Sequence, residues 1–161
     1  MRILGVDPAL TVTGYGVIDV VGKKMCLLEA GVIKSQSPDK GIQIRLNTIH
    51  KAISSLIRET KPEVMVLEKL YAHYRHPVTS FLLGQARGVI CLACAECDIS
   101  LVEYSATRVK KAIVGQGLAP KYQVQKMVCC SLGLKTAPKY SDVTDALALA
   151  IAHSHIIGVN I

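Results

Sequence analysis

The chain has 161 residues, half of them apolar, with a mean hydropathy of +0.35. That is material for one domain with a buried core, and it excludes a disordered polypeptide. Lys and Arg outnumber Asp and Glu by 19 to 12, and the net charge of +7 suits a polyanionic partner. The longest uninterrupted apolar stretch, Gly88 to Ala95, is too short to span a bilayer, and the N-terminus enters a strand pattern without a signal-peptide core. A cytoplasmic protein without membrane contact is expected.

Residues 2–6 are a short apolar run ended by Asp7, the pattern of a central buried strand. Thr13 to Val20 reads as a second strand, Val21 to Lys24 as a turn, and residues 25–33 as a third strand. Pro38 and Asp39 mark a loop between Ser35 and Gly41. From Ile42 the apolar spacing turns helical through Leu46, Ile49, Ile53, Leu56 and Ile57, until Pro62 stops it. A fourth strand covers residues 63–68 and ends on Glu68. Residues 69–77 are polar, aromatic and basic, and read as an exposed loop.

A helix from Val78 to Cys97 is apolar on nearly every face, which predicts burial on two sides. One side would meet the sheet and the other a second subunit. Ser100 to Glu103 is a fifth strand, and Ser105 the N-cap of a helix carrying Val109 and Ile113 and broken at Gly115 and Gly117. Val124, Met127, Val128 and Leu132 mark another helix, and Ser141 is expected to cap a last one over residues 142–155. Hairpins followed by alternating strands and helices predict an α/β fold, a mixed five-stranded sheet with helices on both faces.

Four carboxylates stand out against this frame. Asp7 and Glu68 each end an apolar strand, where an acid is costly unless something positive meets it. Asp142 and Asp145 share one face of the last helix at i, i+3. Together they offer oxygen ligands suited to Mg²⁺, and two such ions can clamp the attacking and leaving oxygens of a phosphodiester. Asp7 alone would be a turn residue before Pro8, and Asp142 alone a favourable charge at a helix N-terminus. Four acids in one cleft repel, so the group should titrate as a coupled set.

Other candidates are weaker. Cys91, Cys94 and Cys97 have part of an iron–sulfur or zinc spacing, but the fourth position falls on Leu101, so they read as small apolar residues of a buried helix. All six cysteines are expected to be reduced. His73 and His76 flank Arg75 in a basic loop and read as solvated rather than metal-bound.

In chain order, Arg2-Ile3-Leu4-Gly5-Val6-Asp7-Pro8, Leu83-Gly84-Gln85-Ala86-Arg87-Gly88-Val89, Val109-Lys110-Lys111-Ala112-Ile113-Val114-Gly115, Gln123-Val124-Gln125-Lys126-Met127-Val128 and Asp142-Val143-Thr144-Asp145-Ala146-Leu147-Ala148 resemble the RuvC-type Holliday-junction resolvases, of the ribonuclease H-like fold. The resemblance covers nearly the whole chain. It implies a homodimeric endonuclease that makes paired symmetric nicks in four-way DNA junctions, uses two Mg²⁺ ions per site with Mn²⁺ as a substitute, and works with the RuvA–RuvB branch-migration machinery. Asp7, Glu68, Asp142 and Asp145 fall on the family's metal-binding positions, with Asp7 central. Lys110 and Lys121 match its basic DNA-contacting positions, and Tyr71 stands where the family carries an aromatic, usually Phe, near the junction centre. Ala9 in place of the usual Gly, the 69–77 loop and Pro120 before Lys121 depart from the pattern and bear on sequence preference and rate.

Two other readings remain open at this point. Asp7-Pro8-Ala9-Leu10-Thr11, with Thr13-Gly14, is similar to the phosphate loop of actin-like kinases, although 161 residues are too few for their two domains. A non-catalytic junction-binding protein would share the basic surface and would not need all four acids.

Overall fold

The computed structural model describes residues 1–35, 38–70 and 77–158. Strands β1 (Arg2–Asp7), β2 (Val12–Val21) and β3 (Lys24–Lys34) form an antiparallel meander, with Gly22 in the left-handed region at the β2–β3 turn. A 3₁₀ turn over Pro38–Lys40 leads into helix α1 (Ile42–Thr60), which ends at Lys61 in the left-handed conformation just ahead of Pro62. Then follow β4 (Val64–Glu68), α2 (Pro77–Glu96), β5 (Ser100–Tyr104), α3 (Ala106–Val114), α4 (Lys121–Leu132) and α5 (Ser141–Ile156). The sheet order is β3-β2-β1-β4-β5, with β4 parallel to both β1 and β5.

The pleat sorts the side chains into two cores. Leu4, Val6, Val17, Met65 and Leu67 face α1 and α2, which bring Ile49, Ile53, Ile57, Ala86, Ile90 and Ala93. Ile3, Ile18, Val20, Val64 and Val66 face the other way, onto α3, α4 and above all α5. Leu147 and Ile151 of α5 are wholly buried, each worth about 1.5–3 kcal/mol of transfer free energy. A Cβ at Gly5 would collide with the carbonyl oxygen of Ala146, and one at Gly14 with that of Asp142. Two bare strand positions therefore let α5 lie flush against β1 and β2.

The expected elements appear with their ends moved by a residue or two, and Ser105 is a cap whose Oγ accepts from the Arg108 N–H at 3.3 Å. Ser141 is a correction. It is the first residue inside α5, the N-cap position is Tyr140, and no side chain caps that end. The chain arrives from Pro138 with Tyr140 extended, so the helix begins at Ser141 itself, one residue too early for Ser141 to cap it.

Helix α2 is apolar and long enough, by length and composition alone, to cross a membrane. Here it packs on α1 and contributes Ala86, Ile90, Ala93 and Cys94 to the core. Its Cys94 thiol donates to the Ile99 carbonyl at 3.3 Å, and burial, then Cys91 and Cys97, push it up to about 11. Burial that disfavours the thiolate suits a packing role for Cys94.

Candidate active site

Parallel pairing of Val6 with Leu67 brings Asp7 and Glu68 to neighbouring strand ends on one edge of the sheet. Asp7 is also paired with Gly14, the residue against which the Asp142 backbone packs. That contact seats the first turn of α5, and with it Asp142 and Asp145, over the end of β1. Local bonds hold the loop that follows Asp7. Buried Thr13 donates its hydroxyl to the Ala9 carbonyl at 2.6 Å and accepts the Ala9 N–H at 3.2 Å. Thr13 thus closes the turn with Ala9 in place.

The charges act on one another. Burial, then the carboxylates of Asp145, Asp142 and Glu68, push the Asp7 carboxyl from 3.8 up to about 7, against the pull of Lys121. Glu68 is also raised, by burial and then Asp145, with Lys110 and Lys121 opposing. Lys121, in the first turn of α4, reaches the Asp145 carboxylate with Nζ–Oδ2 of 2.6 Å, and that bond raises its own pKa and keeps it charged. Lys110 and Lys121 line a cavity of about 190 Å³ beside Glu68 and Asp145, walled by Val109 and Val124. Lys111 and Lys126 are exposed on α3 and α4.

Among the described residues, no three His, Cys, Asp or Glu side chains are drawn together tightly enough to form a closed cage. The Lys121 ammonium stands as the local cation at Asp145. The donor set nevertheless fits a hard divalent ion. It offers only oxygen ligands, and burial with the neighbouring carboxylates makes the Asp7 carboxyl resist ionisation, a cost that a bound cation would relieve.

Four supports carry no signal in the local sequence. Arg87 of α2 donates from Nη1 to the Glu68 carbonyl at 2.8 Å and forms an ion pair with Glu103 of β5. It thereby ties the helix to the strand end that carries Glu68. Tyr104 and His153, both buried, share a hydrogen bond of 2.8 Å that links the end of β5 to α5 eight residues beyond Asp145. Arg108 lies over the Tyr104 ring at 5.0 Å. Gly14 clears the way for α5. Arg87 sat in a recognised motif, but nothing local named its partners. The Tyr104–His153 pair spans 49 residues and leaves no local mark. Tyr71, His73, Arg75 and His76 lie outside the described residues.

A mixed sheet of this order, with acids at the ends of two adjacent parallel strands and at the start of a helix crossing them, has the architecture of a ribonuclease H-like nuclease. The family model of the crossover junction endodeoxyribonuclease RuvC matches residues 3–153, and the chain belongs to that family of metal-dependent nucleases. It is 44% identical over 154 residues to the crossover junction endodeoxyribonuclease RuvC of Rhodopirellula baltica, covering 96% of this chain and 86% of that one. A solved structure of Thermus thermophilus RuvC in complex with Holliday junction substrate superposes with a TM-score of 0.92 at 34% identity, covering 98% of this chain and 94% of that one. The yeast mitochondrial Holliday junction resolvase Ydc2 shares the fold at 15% identity and a TM-score of 0.58, covering 95% of this chain and 78% of its own.

Proposed function

We propose that this chain acts as a single nuclease domain that resolves four-way DNA junctions. It does so as a homodimer making paired symmetric nicks, at a site where Asp7, Glu68, Asp142 and Asp145 hold two Mg²⁺ ions. The observation that carries the reading is the placement of Asp7 and Glu68 at neighbouring strand ends beside the first turn of α5, where burial and then the charges of Asp145, Asp142 and Glu68 raise the Asp7 carboxyl. Mg²⁺ held by these carboxylates would supply the Lewis acidity for in-line attack of water on phosphorus and for departure of the 3′ oxygen. The P–O3′ bond breaks, leaving a 5′-phosphate and a 3′-hydroxyl. Asp7, which interacts with each of the other three carboxylates, would be the central residue of such a metal site. Lys110 and Lys121 neutralise the phosphodiester at the mouth of the cavity, and Lys121 exchanges the Asp145 carboxylate for phosphate as DNA arrives. Tyr71, which lies outside the described residues, stacks on an unpaired base where the strands exchange.

The dimer reading rests on α2. Val78, Phe81 and Leu92 are 71%, 68% and 51% exposed, and Gly84 and Gly88 have open space where a side chain would stand. A stripe of bulky and bare positions along one helix is self-complementary and suits a two-fold contact. Two sites related by that axis match two equivalent strands of a junction, and the RuvA–RuvB motor is the partner that family membership favours. Incubation with an end-labelled mobile junction, with and without Mg²⁺, tests the reading. Symmetric metal-dependent nicks are expected. An uncut junction that is nevertheless bound would reduce the protein to a binding module.

A further inference from the structure

The segment between α3 and α4 holds an apolar side chain out into solvent, and the packing around it shows this is imposed. Leu118 is 94% exposed, the most exposed large hydrophobic residue among those described. The chain on either side is fixed. Gly117 packs so closely on Thr107 that a Cβ there would lie 2.5 Å from its Cγ2. Ala119 is 2% exposed, and the Ala119 N–H bonds the Gln116 carbonyl at 3.3 Å. Pro120 then sets φ at −67° at the N-cap of α4. The backbone on both sides of Leu118 is thus held in place with its side chain outward. Tyr122, 66% exposed, follows one residue after Lys121, with the Gln123 amide 3.4 Å from its hydroxyl. These two side chains bracket the lysine whose ammonium sits on Asp145.

We infer that Leu118 and Tyr122 form an apolar ledge that packs against the sugars and bases of the nucleosides flanking the cut. The inference rests on the nuclease reading above and adds a contact to it. With Lys121 on the scissile phosphate, the exposed apolar side chains on either side of it in sequence, Leu118 and Tyr122, are within reach of the adjoining nucleosides. The occupant is therefore DNA, whose backbone charge complements Lys110, Lys121 and exposed Lys126, and whose bases and sugars supply the apolar faces that a leucine and a tyrosine ring accept.

The test uses the full-length protein and a four-way junction carrying 2-aminopurine beside the cleavage position. Junction binding is measured by anisotropy in EDTA across a salt series, with Leu118→Ser, Tyr122→Ser, the double variant and Tyr122→Phe. The double variant is expected to bind roughly tenfold more weakly, the loss of one stacked contact. Its salt slope should match the wild type, because no phosphate contact is removed, whereas Lys121→Ala should flatten the slope. Wild type and Tyr122→Phe should change the 2-aminopurine fluorescence on binding, and Tyr122→Ser should not. Melting temperatures should be unchanged, since neither side chain is buried. A double variant that binds within twofold of wild type with an unaltered fluorescence response overturns the inference and leaves the ledge to a protein partner. A marked fall in melting temperature also overturns it, by making the ledge structural. A wild type that binds without nicking in Mg²⁺ instead sinks the nuclease reading.

Discussion

Replacing Asp7 with Asn should make the metal-free protein more stable while it abolishes cleavage. The carboxyl ordinarily titrates at 3.8 and is pushed to about 7 in the fold, so ionising it there costs up to about 4 kcal/mol relative to the unfolded chain. The side chain keeps some contact with solvent, and screening lowers the expected figure to about 2 kcal/mol. The sign follows from proton binding. Between pH 4 and 7 the folded state holds a proton that the unfolded chain has released, so this group's contribution to stability falls as pH rises through that window and levels off above it. Asn cannot ionise and escapes the penalty. A gain of about 2 kcal/mol corresponds to roughly 4–8 °C in melting temperature for a chain of this size. Differential scanning calorimetry in EDTA at pH 7.5 should show that gain, and a smaller one at pH 5. Mg²⁺ should raise the melting temperature of wild type and leave the variant nearly unmoved. A variant less stable than wild type at pH 7.5, or a gain equal at both pH values, would refute the claim that Asp7 sits in an uncompensated acidic cluster.

Lys121→Ala should lower junction cleavage by about a hundredfold, the usual loss for one electrostatic contact to a transition state. Its melting temperature should move little, because the ion pair with Asp145 is half open to water. Arg87→Met leaves Glu103 and the Glu68 carbonyl without their partner, and should cost about 1–3 kcal/mol in urea unfolding together with a loss of turnover. An Arg87→Met protein of unchanged stability would mean that the tether between α2 and β4 is idle. Gly88→Glu fills the open groove on α2 with charge. Sedimentation should then show a monomer, and a cruciform plasmid should give nicked circles in place of linear product. Tyr71→Phe should cleave junctions normally and Tyr71→Ala should not. Equal failure of both would assign the role to the hydroxyl.

Much of this molecule is written in local patterns. Apolar runs ending in an acid announced β1 and β4, the i, i+3 pair announced the first turn of α5, and Pro62, Ser105 and Gly115 marked helix ends through backbone chemistry that acts within a few residues. The nature of the site was therefore legible, because strand ends and helix starts are where buried charges gather. What the sequence could not express was contact between distant segments. Gly14 reads as a weak point in a strand, and only the approach of Asp142 shows why no Cβ is tolerated there. Arg87 reads as a charge on an apolar helix until Glu103 and the Glu68 carbonyl appear beside it. Leu118 reads as an ordinary loop leucine until Thr107 and the buried Ala119 are seen to hold it outward. Local sequence sets which backbone conformation each segment prefers. Tertiary packing alone decides which charges share a cleft, because charge interactions depend on distances between side chains that lie far apart along the chain.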